Sequence, residues 1–107
     1  MTEFIQVSTT TDKKEDAKKI SREIVEKRLA ACVQITGPVT SMYWWKDKIE
    51  DTEEWLLIMK TRKELLNKLE QAIIKIHPYE VPEIIAIPVV AGGRSYMDWL
   101  EKETRNP

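Results

Sequence analysis

The only histidine of the chain, His77, opens the segment HPYEVP at residues 77–82, where it stands beside Tyr79 and Glu80. Imidazole, phenol and carboxylate groups can bind metal ions or transfer protons. A transition-metal site usually needs three or more donors, and the sequence has no His-x-x-His or Cys-x-x-Cys spacing to supply them. His77 is therefore a tentative ligand of a weak or subunit-shared metal site. The alternative is a helix-terminal imidazole stabilised by the helix dipole.

The other reactive groups predict no particular reaction. Cys32 is the only cysteine, so it can form no intrachain disulfide and no structural zinc site by itself. The stretch AGGRSY could bring a helix N-terminus to a phosphate or carboxylate, but it lacks the Walker and Rossmann patterns. No serine triad is recognisable, and Glu53 and Glu54 are two glutamates among many. We expect no enzymatic activity.

The bulk composition restricts the class of protein and its partners. The 107 residues carry 17 basic and 18 acidic side chains, a net charge of −1. Nucleic acid is not an expected partner, because non-specific binding to it normally needs a basic surplus. No membrane-spanning run and no signal peptide are evident, and the single cysteine fits a reducing compartment. These features predict one cytoplasmic domain over residues 1–107.

The pattern of apolar residues predicts the elements that position these groups. We expect a strand near residues 3–9, a helix over 13–30 with an Asp12–Glu15 capping box, and a long hairpin. Its strands, 30–45 and 49–61, flank a turn at KDK, with a bend or bulge at Gly37–Pro38. A second helix over 62–76 ends at Pro78, and a strand over 83–91, buried on both faces or at an interface, follows. A Ser95–Asp98 capping pair starts the last helix.

This β-α-β-β-α-β order with a C-terminal helix predicts an α+β, ferredoxin-like sandwich. Two helices would cover one face of the sheet, and the other face would need another copy, the last helix or a partner. The hairpin is longer than a four-stranded sheet requires, so its edges could extend the sheet of a neighbouring subunit. We expect its tryptophans, Trp44 and Trp45, to pack against that neighbour in a closed homo-oligomer.

Five strings occur in an order and spacing that resemble the CutA family of divalent-cation tolerance proteins: EKRLAACVQI, SMYWWKDKIE, EWLLIMKTR, IHPYEVPEIIAIPV and SYMDWL. The resemblance covers almost the whole chain. It implies a ferredoxin-like fold similar to the PII signalling proteins and a homotrimer with sheets extended by the long hairpins. It also implies a role in tolerance to copper and other divalent metals, with no firmly assigned reaction.

The resemblance also supplies site residues. The positions that match the recurrent pattern of the family are Cys32, Tyr43, Trp45, Glu54, Lys60, His77, Tyr79, Pro82 and Trp99. Cys32, Tyr43, Trp45, Glu54, Lys60 and Tyr79 are the candidates for a cleft between subunits. Some copper-linked members have a cysteine in the first strand and a second histidine before HPY, where this chain has Ser8 and Ile76. High-affinity copper binding is correspondingly less expected.

Three functions follow from these observations. The first is a homotrimeric protein of the response to metal ions, with weak binding of a divalent cation such as copper as its only expected cofactor. The alternative is a PII-like signalling module that binds a small anionic ligand in the intersubunit cleft through Lys60, Arg94 or helix N-termini. The third, acid–base catalysis by Lys60, Glu54 and Tyr79, has no reaction to support it.

Overall fold

The computed structural model describes residues 2–105, so the ends of the expected 1–107 domain lie outside it. The elements are β1 (Phe4–Thr11), α1 (Lys14–Glu26), β2 (Cys32–Trp45), β3 (Lys48–Arg62), α2 (Leu66–Ile76), β4 (Ile85–Val89) and α3 (Arg94–Glu103), with one 3-10 turn (Lys63–Leu65) before α2. The antiparallel sheet has the order β2-β3-β1-β4. The predicted ferredoxin-like architecture is confirmed.

One face of the sheet and the helices α1 and α2 enclose the core. Side chains alternate between the two faces of a strand, so every second residue of β1 and β3 points at the helices. These core residues are Ile5, Val7, Leu57 and Met59 from the strands, with Ile20, Ile24, Leu69 and Ile73 from the helices. The opposite, open face carries the intervening residues and therefore the even-numbered positions of both strands.

Helix α1 differs from its prediction at both ends. Its N-cap is Lys13, which makes no side-chain capping bond, so the predicted Asp12–Glu15 capping box is wrong. Thr11 instead donates its hydroxyl hydrogen to the carbonyl of Lys13 at 2.8 Å. The helix ends four residues early because Arg28 adopts the left-handed conformation (φ 57°) and bonds from residues 28 and 29 close a Schellman motif.

Helix α3 lies against the open face at the end of β3. Its N-cap is Gly93 without a side-chain capping bond, so the predicted Ser95–Asp98 capping pair is also wrong. Arg62 donates from Nε to Thr104 Oγ1 at 3.0 Å and from Nη2 to the Thr104 carbonyl at 2.6 Å. Leu100 is buried beside this anchor. One of the three expected covers, the last helix, therefore shields one end of the open face.

The hairpin projects from the body of the domain. The last pair between β1 and β3 joins Thr11 to Trp55, and residues 39–54 pair only with one another. We call residues 39–54 the hairpin arm. The register shifts between Thr36 and Val39, which confirms the irregularity predicted at the glycine and proline. Lys46 and Asp47 both have positive φ, as a two-residue hairpin turn of type I′ requires.

The last strand is shorter and more exposed than its sequence suggests. It covers five residues, not nine, and it lies at the edge of the sheet beside β1. Ala86 packs against the core, whereas Ile85 and Ile87 face the open side and are more than half exposed. The prediction of burial on both faces is wrong for a single chain, because only one face of this sheet is fully covered by helices. Its alternative, an interface, remains a prediction.

Candidate functional site

A cleft of about 710 Å³ lies between the hairpin arm and the segment that follows α2. That segment crosses the end of the sheet on its way to β4, so HPYEVP lies over the base of the arm. The lining residues are Thr10, Ser41, Met42, Tyr43, Trp44, Trp45, Glu54, Tyr79, Glu80, Val81 and Glu83. Four of the six predicted cleft residues therefore lie together: Tyr43, Trp45, Glu54 and Tyr79.

His77 fastens this segment to β1 through both of its ring nitrogens. Its Nε2 lies 2.8 Å from the carbonyl of Thr10, and its Nδ1 accepts a hydrogen bond from the backbone N–H of Tyr79 at 3.0 Å. An amide nitrogen can only donate and a carbonyl can only accept, so the ring is the neutral tautomer with its hydrogen on Nε2. The residue is only 8% exposed.

Burial sets the proton affinity of His77. Desolvation lowers the pKa of the imidazole below 6.5, and the carbonyl of Thr10 and the carboxylates of Asp16, Glu54 and Asp12 oppose that shift in part. Protonation would also place a hydrogen on Nδ1 opposite the N–H of Tyr79. Both effects keep the ring neutral at pH 7.

The same contacts bear on the role of His77 as a metal ligand. A metal bond would need one nitrogen to give up its present partner. Among residues 2–105, no group of three or more His, Cys, Asp or Glu side chains could hold a metal ion. The backbone N–H of His77 donates to the Ile73 carbonyl at 2.8 Å, so the residue closes α2 before Pro78. The geometry therefore favours a helix-terminal imidazole, but the neutral ring is held by its hydrogen bonds and gains little from the helix dipole. Metal ligation by His77 stays a prediction.

Glu54 is the most unusual group in the cleft. The phenol of Tyr79 donates to its Oε2 at 2.6 Å, and the residue is only 5% exposed. Desolvation and this carboxylate raise the pKa of Tyr79, so the phenol keeps its proton and remains a donor. None of the ion pairs in the described part of the chain includes Glu54. Its other oxygen, Oε1, is not one of the buried unpaired polar atoms of residues 2–105, so it can be reached from the cleft.

The structure does not bring Cys32 and Lys60 to this cleft. They pair with each other across β2 and β3, and the ammonium of Lys60 lies 5.6 Å from the ring centroid of Tyr96. Lys60 shares the open face with Glu54, but six residues of strand separate them, roughly 20 Å at 3.3 Å per residue. The proposed grouping of Lys60 with Glu54 and Tyr79 is therefore wrong within one chain, whereas the contact between Glu54 and Tyr79 exists.

Among the cleft residues that the sequence does not single out, Thr10 and Glu83 make the contacts that join the segment after α2 to β1. Thr10 supplies the carbonyl that His77 binds, and Glu83 accepts a hydrogen bond from the hydroxyl of Ser8 at 3.0 Å. From the sequence, Ser8 marks only a position where a metal donor is missing. These contacts join residues 67 and 75 positions apart, and no local pattern signals them. The alternation of side chains along β1 was the one available hint, because it places Thr10 on the open face together with Ser8.

The composition of the lining selects the charge of a ligand. The cleft carries three glutamates and, on the face of Glu54, the rings of Tyr43, Trp45 and Tyr79, and no lysine or arginine is among its described lining residues. Ring faces carry negative electrostatic potential and attract cations, as carboxylates do. The cleft can therefore attract a cation and is poorly suited to an anion.

Comparisons with known proteins agree with the resemblance noted in the sequence. The family model described as CutA1 divalent ion tolerance protein matches residues 5–103. The divalent-cation tolerance protein CutA of Thermus thermophilus is 42% identical over 98 residues, which cover 92% of this chain and 95% of that protein. The human protein CutA is 46% identical over 90 residues, or 84% of this chain and 50% of its own length. Rice CutA 1 is 42% identical over 101 residues, 94% of this chain and 57% of that protein.

Solved structures show the same fold. The crystal structure of CutA1 from Oryza sativa superposes with a TM-score of 0.94 at 40% identity, covering 98% of this chain and 96% of that one. The Thermus thermophilus structure gives a TM-score of 0.89 at 41% identity, with 96% and 98% covered. Fold, sequence and family model agree over nearly the whole described chain, and the chain belongs to the CutA1 divalent ion tolerance family.

Proposed function

We propose that this chain is a homotrimeric protein of the response to divalent metal ions, and that its cleft binds cations weakly. Glu54 is the observation that carries this proposal. The residue is only 5% exposed, lines the cleft and has no ion-pair partner in residues 2–105. A cation that enters the cleft would pair with this carboxylate and offset its partial desolvation.

The donors present suggest a low affinity and a preference among metals. One chain supplies no three-ligand group within its described residues, so coordination would be completed by water or by a neighbouring subunit. Carboxylate and hydroxyl oxygens suit manganese and magnesium better than copper, which prefers nitrogen and sulfur. Cys32 and His77 are not free donors in this cleft, so tight copper binding is not expected.

The exposed apolar surface supports the homotrimer. Met42, Trp44 and Ile49 lie on the face of the arm opposite Glu54, and all are more than half exposed, Trp44 at 72%. Ile85 and Ile87 add apolar surface on the open face. Such patches usually mark an interface. Light scattering that returned a monomer at micromolar concentration would contradict this part of the proposal.

The PII-like alternative gains no support from the cleft. An anionic ligand would face three glutamates, and neither Lys60 nor Arg94 is among the described lining residues. A cytoplasmic location remains a prediction, since relatives carry names that place them in the chloroplast or the periplasm. No helix within residues 2–105 is long and apolar enough to cross a membrane.

Titration calorimetry with Mn²⁺, Zn²⁺ and Cu²⁺ tests the proposal. Glu54→Gln removes the buried charge and should weaken binding about 10- to 100-fold, the value of a charged hydrogen bond. Glu53→Gln is the matched control, because Glu53 is exposed, pairs with Thr40 and points to the other face. Cys32→Ser should bind as the wild type does, because Cys32 does not line the cleft. Identical isotherms for wild type and Glu54→Gln would contradict the proposal.

A further inference from the structure

We propose that the cleft binds an organic cation of the aliphatic polyamine class, with its ammonium groups on glutamates and its chain along aromatic rings. The inference rests on the proposed function only in that the same cleft takes up cations. It adds the class of ligand and the groups that recognise it.

The first step is the unmatched charge at the base of the arm. Glu54 is more than nine-tenths buried and lines the cleft, and Tyr79 occupies one of its two oxygens. An ammonium group has three donors and can satisfy the other oxygen alone. A metal ion needs several further ligands, which the described residues of one chain do not assemble. The arrangement is therefore better suited to an ammonium group than to a bare metal ion.

The second step is the aromatic wall. Tyr79 lies beside Glu54, and Tyr43 leans towards it, since its phenol oxygen is 3.4 Å from Thr52 Oγ1. Trp45 lies further along the arm, and the ammonium of Lys46 is 5.6 Å from the centroid of its ring. An ammonium group of the chain itself therefore occupies one face of this ring, and a ligand would displace Lys46 or use the other face. Aromatic rings contribute little to a metal site, but their faces attract organic cations.

The third step is the length and the total charge of the site. Trp45 is opposite Lys48 and is therefore about six residues, roughly 20 Å, from Glu54 along β3. Glu80 and Glu83 add two carboxylates to the same lining. A single compact cation cannot meet charges and rings spread over this distance. A flexible chain with two or three ammonium groups can, and about 710 Å³ is the size of a small-molecule site.

Calorimetric titration of the full chain with spermidine tests the inference. We expect Glu54→Gln to weaken binding about tenfold or more, and Glu53→Gln to leave it unchanged. Trp45→Leu should weaken it about threefold to tenfold, whereas Trp45→Phe should retain most of the affinity because a ring face remains. Affinity should fall as the salt concentration rises.

The possible results separate this inference from the proposed function. No measurable binding of spermidine, or binding that Glu54→Gln leaves unchanged, overturns the polyamine inference. If Mn²⁺ still binds in a Glu54-dependent manner, the proposed metal binding stands alone. If spermidine binds with the expected dependence on Glu54 and Trp45 and no metal binds, the result supports the polyamine inference and contradicts the proposed metal binding. Equal affinity of Trp45→Leu and wild type would contradict the role of the aromatic wall.

Discussion

Replacing His77 with alanine should lower the free energy of unfolding by about 2–4 kcal/mol. The substitution removes two buried hydrogen bonds, one to the Thr10 carbonyl and one from the Tyr79 amide. Each is worth about 1 kcal/mol net, and each partner left without a bond inside the protein adds about 1 kcal/mol or more. Loss of the largely buried ring leaves a cavity that contributes in the same direction.

Urea unfolding followed by tryptophan fluorescence measures this loss. The protein concentration must be fixed, because the stability of an oligomer depends on it. His77→Asn can keep an acceptor near Nδ1, and His77→Gln can keep a donor near Nε2, so each should recover part of the loss. Lys75→Ala, at an exposed position two residues earlier, should change little. A loss below about 0.5 kcal/mol in His77→Ala would refute the fastening role of His77.

The same histidine should make stability depend on pH. Its pKa is lowered in the folded state, mainly by burial, below the ordinary value of 6.5. As the pH falls through 6.5, the unfolded chain takes up a proton first, so stability is complete above that pH and declines below it. For one proton, the free energy of unfolding changes by at most about 1.4 kcal/mol per pH unit. It stops falling once the pH is below the pKa of the folded state. His77→Gln should flatten this part of the profile, and an unchanged slope would contradict the assignment.

The remaining predictions concern packing and buried hydroxyls. Gly37→Ala should destabilise by about 1–3 kcal/mol, because a Cβ there would collide with the ring of Trp55, whereas Gly93→Ala meets nothing within 4 Å and should be nearly neutral. Thr9→Val should stabilise by about 1 kcal/mol, since its hydroxyl is the one buried side-chain polar atom without a partner in residues 2–105. Thr61→Val removes a buried 2.7 Å bond to a backbone carbonyl and should destabilise by about 1–3 kcal/mol. Thermal unfolding compares both pairs, and equal effects within either pair would contradict the packing described.

The architecture was predictable because it follows from local patterns. The helical spacing of apolar residues predicts α2, and the β-branched and aromatic run up to Trp45 predicts the long strand β2. Helix ends were less predictable, since an acid three residues after a polar residue forms a capping box only if the backbone turns at that residue. In α3 the turn occurs at Gly93, two residues before Ser95.

Several residues of the candidate site were predictable from the sequence, but their arrangement in space was not. The family resemblance supplied Glu54, Tyr79, Tyr43 and Trp45, and the chain folds them into one cleft. It could not show that His77 uses both nitrogens internally, because its partner Thr10 is 67 residues away. That Cys32 and Lys60 line a cleft between subunits remains a prediction.

A crystal soaked in Mn²⁺ tests most directly whether the cleft is a cation site. Anomalous difference density should appear in the cleft beside the Glu54 carboxylate, with water or a neighbouring subunit completing the coordination. The same soak of Glu54→Gln crystals should lose that density, whereas Glu53→Gln crystals should keep it. Density confined to surface carboxylates, or a bound anion in the cleft of wild-type crystals, would contradict the assignment of Glu54 as the buried counter-charge of a cation.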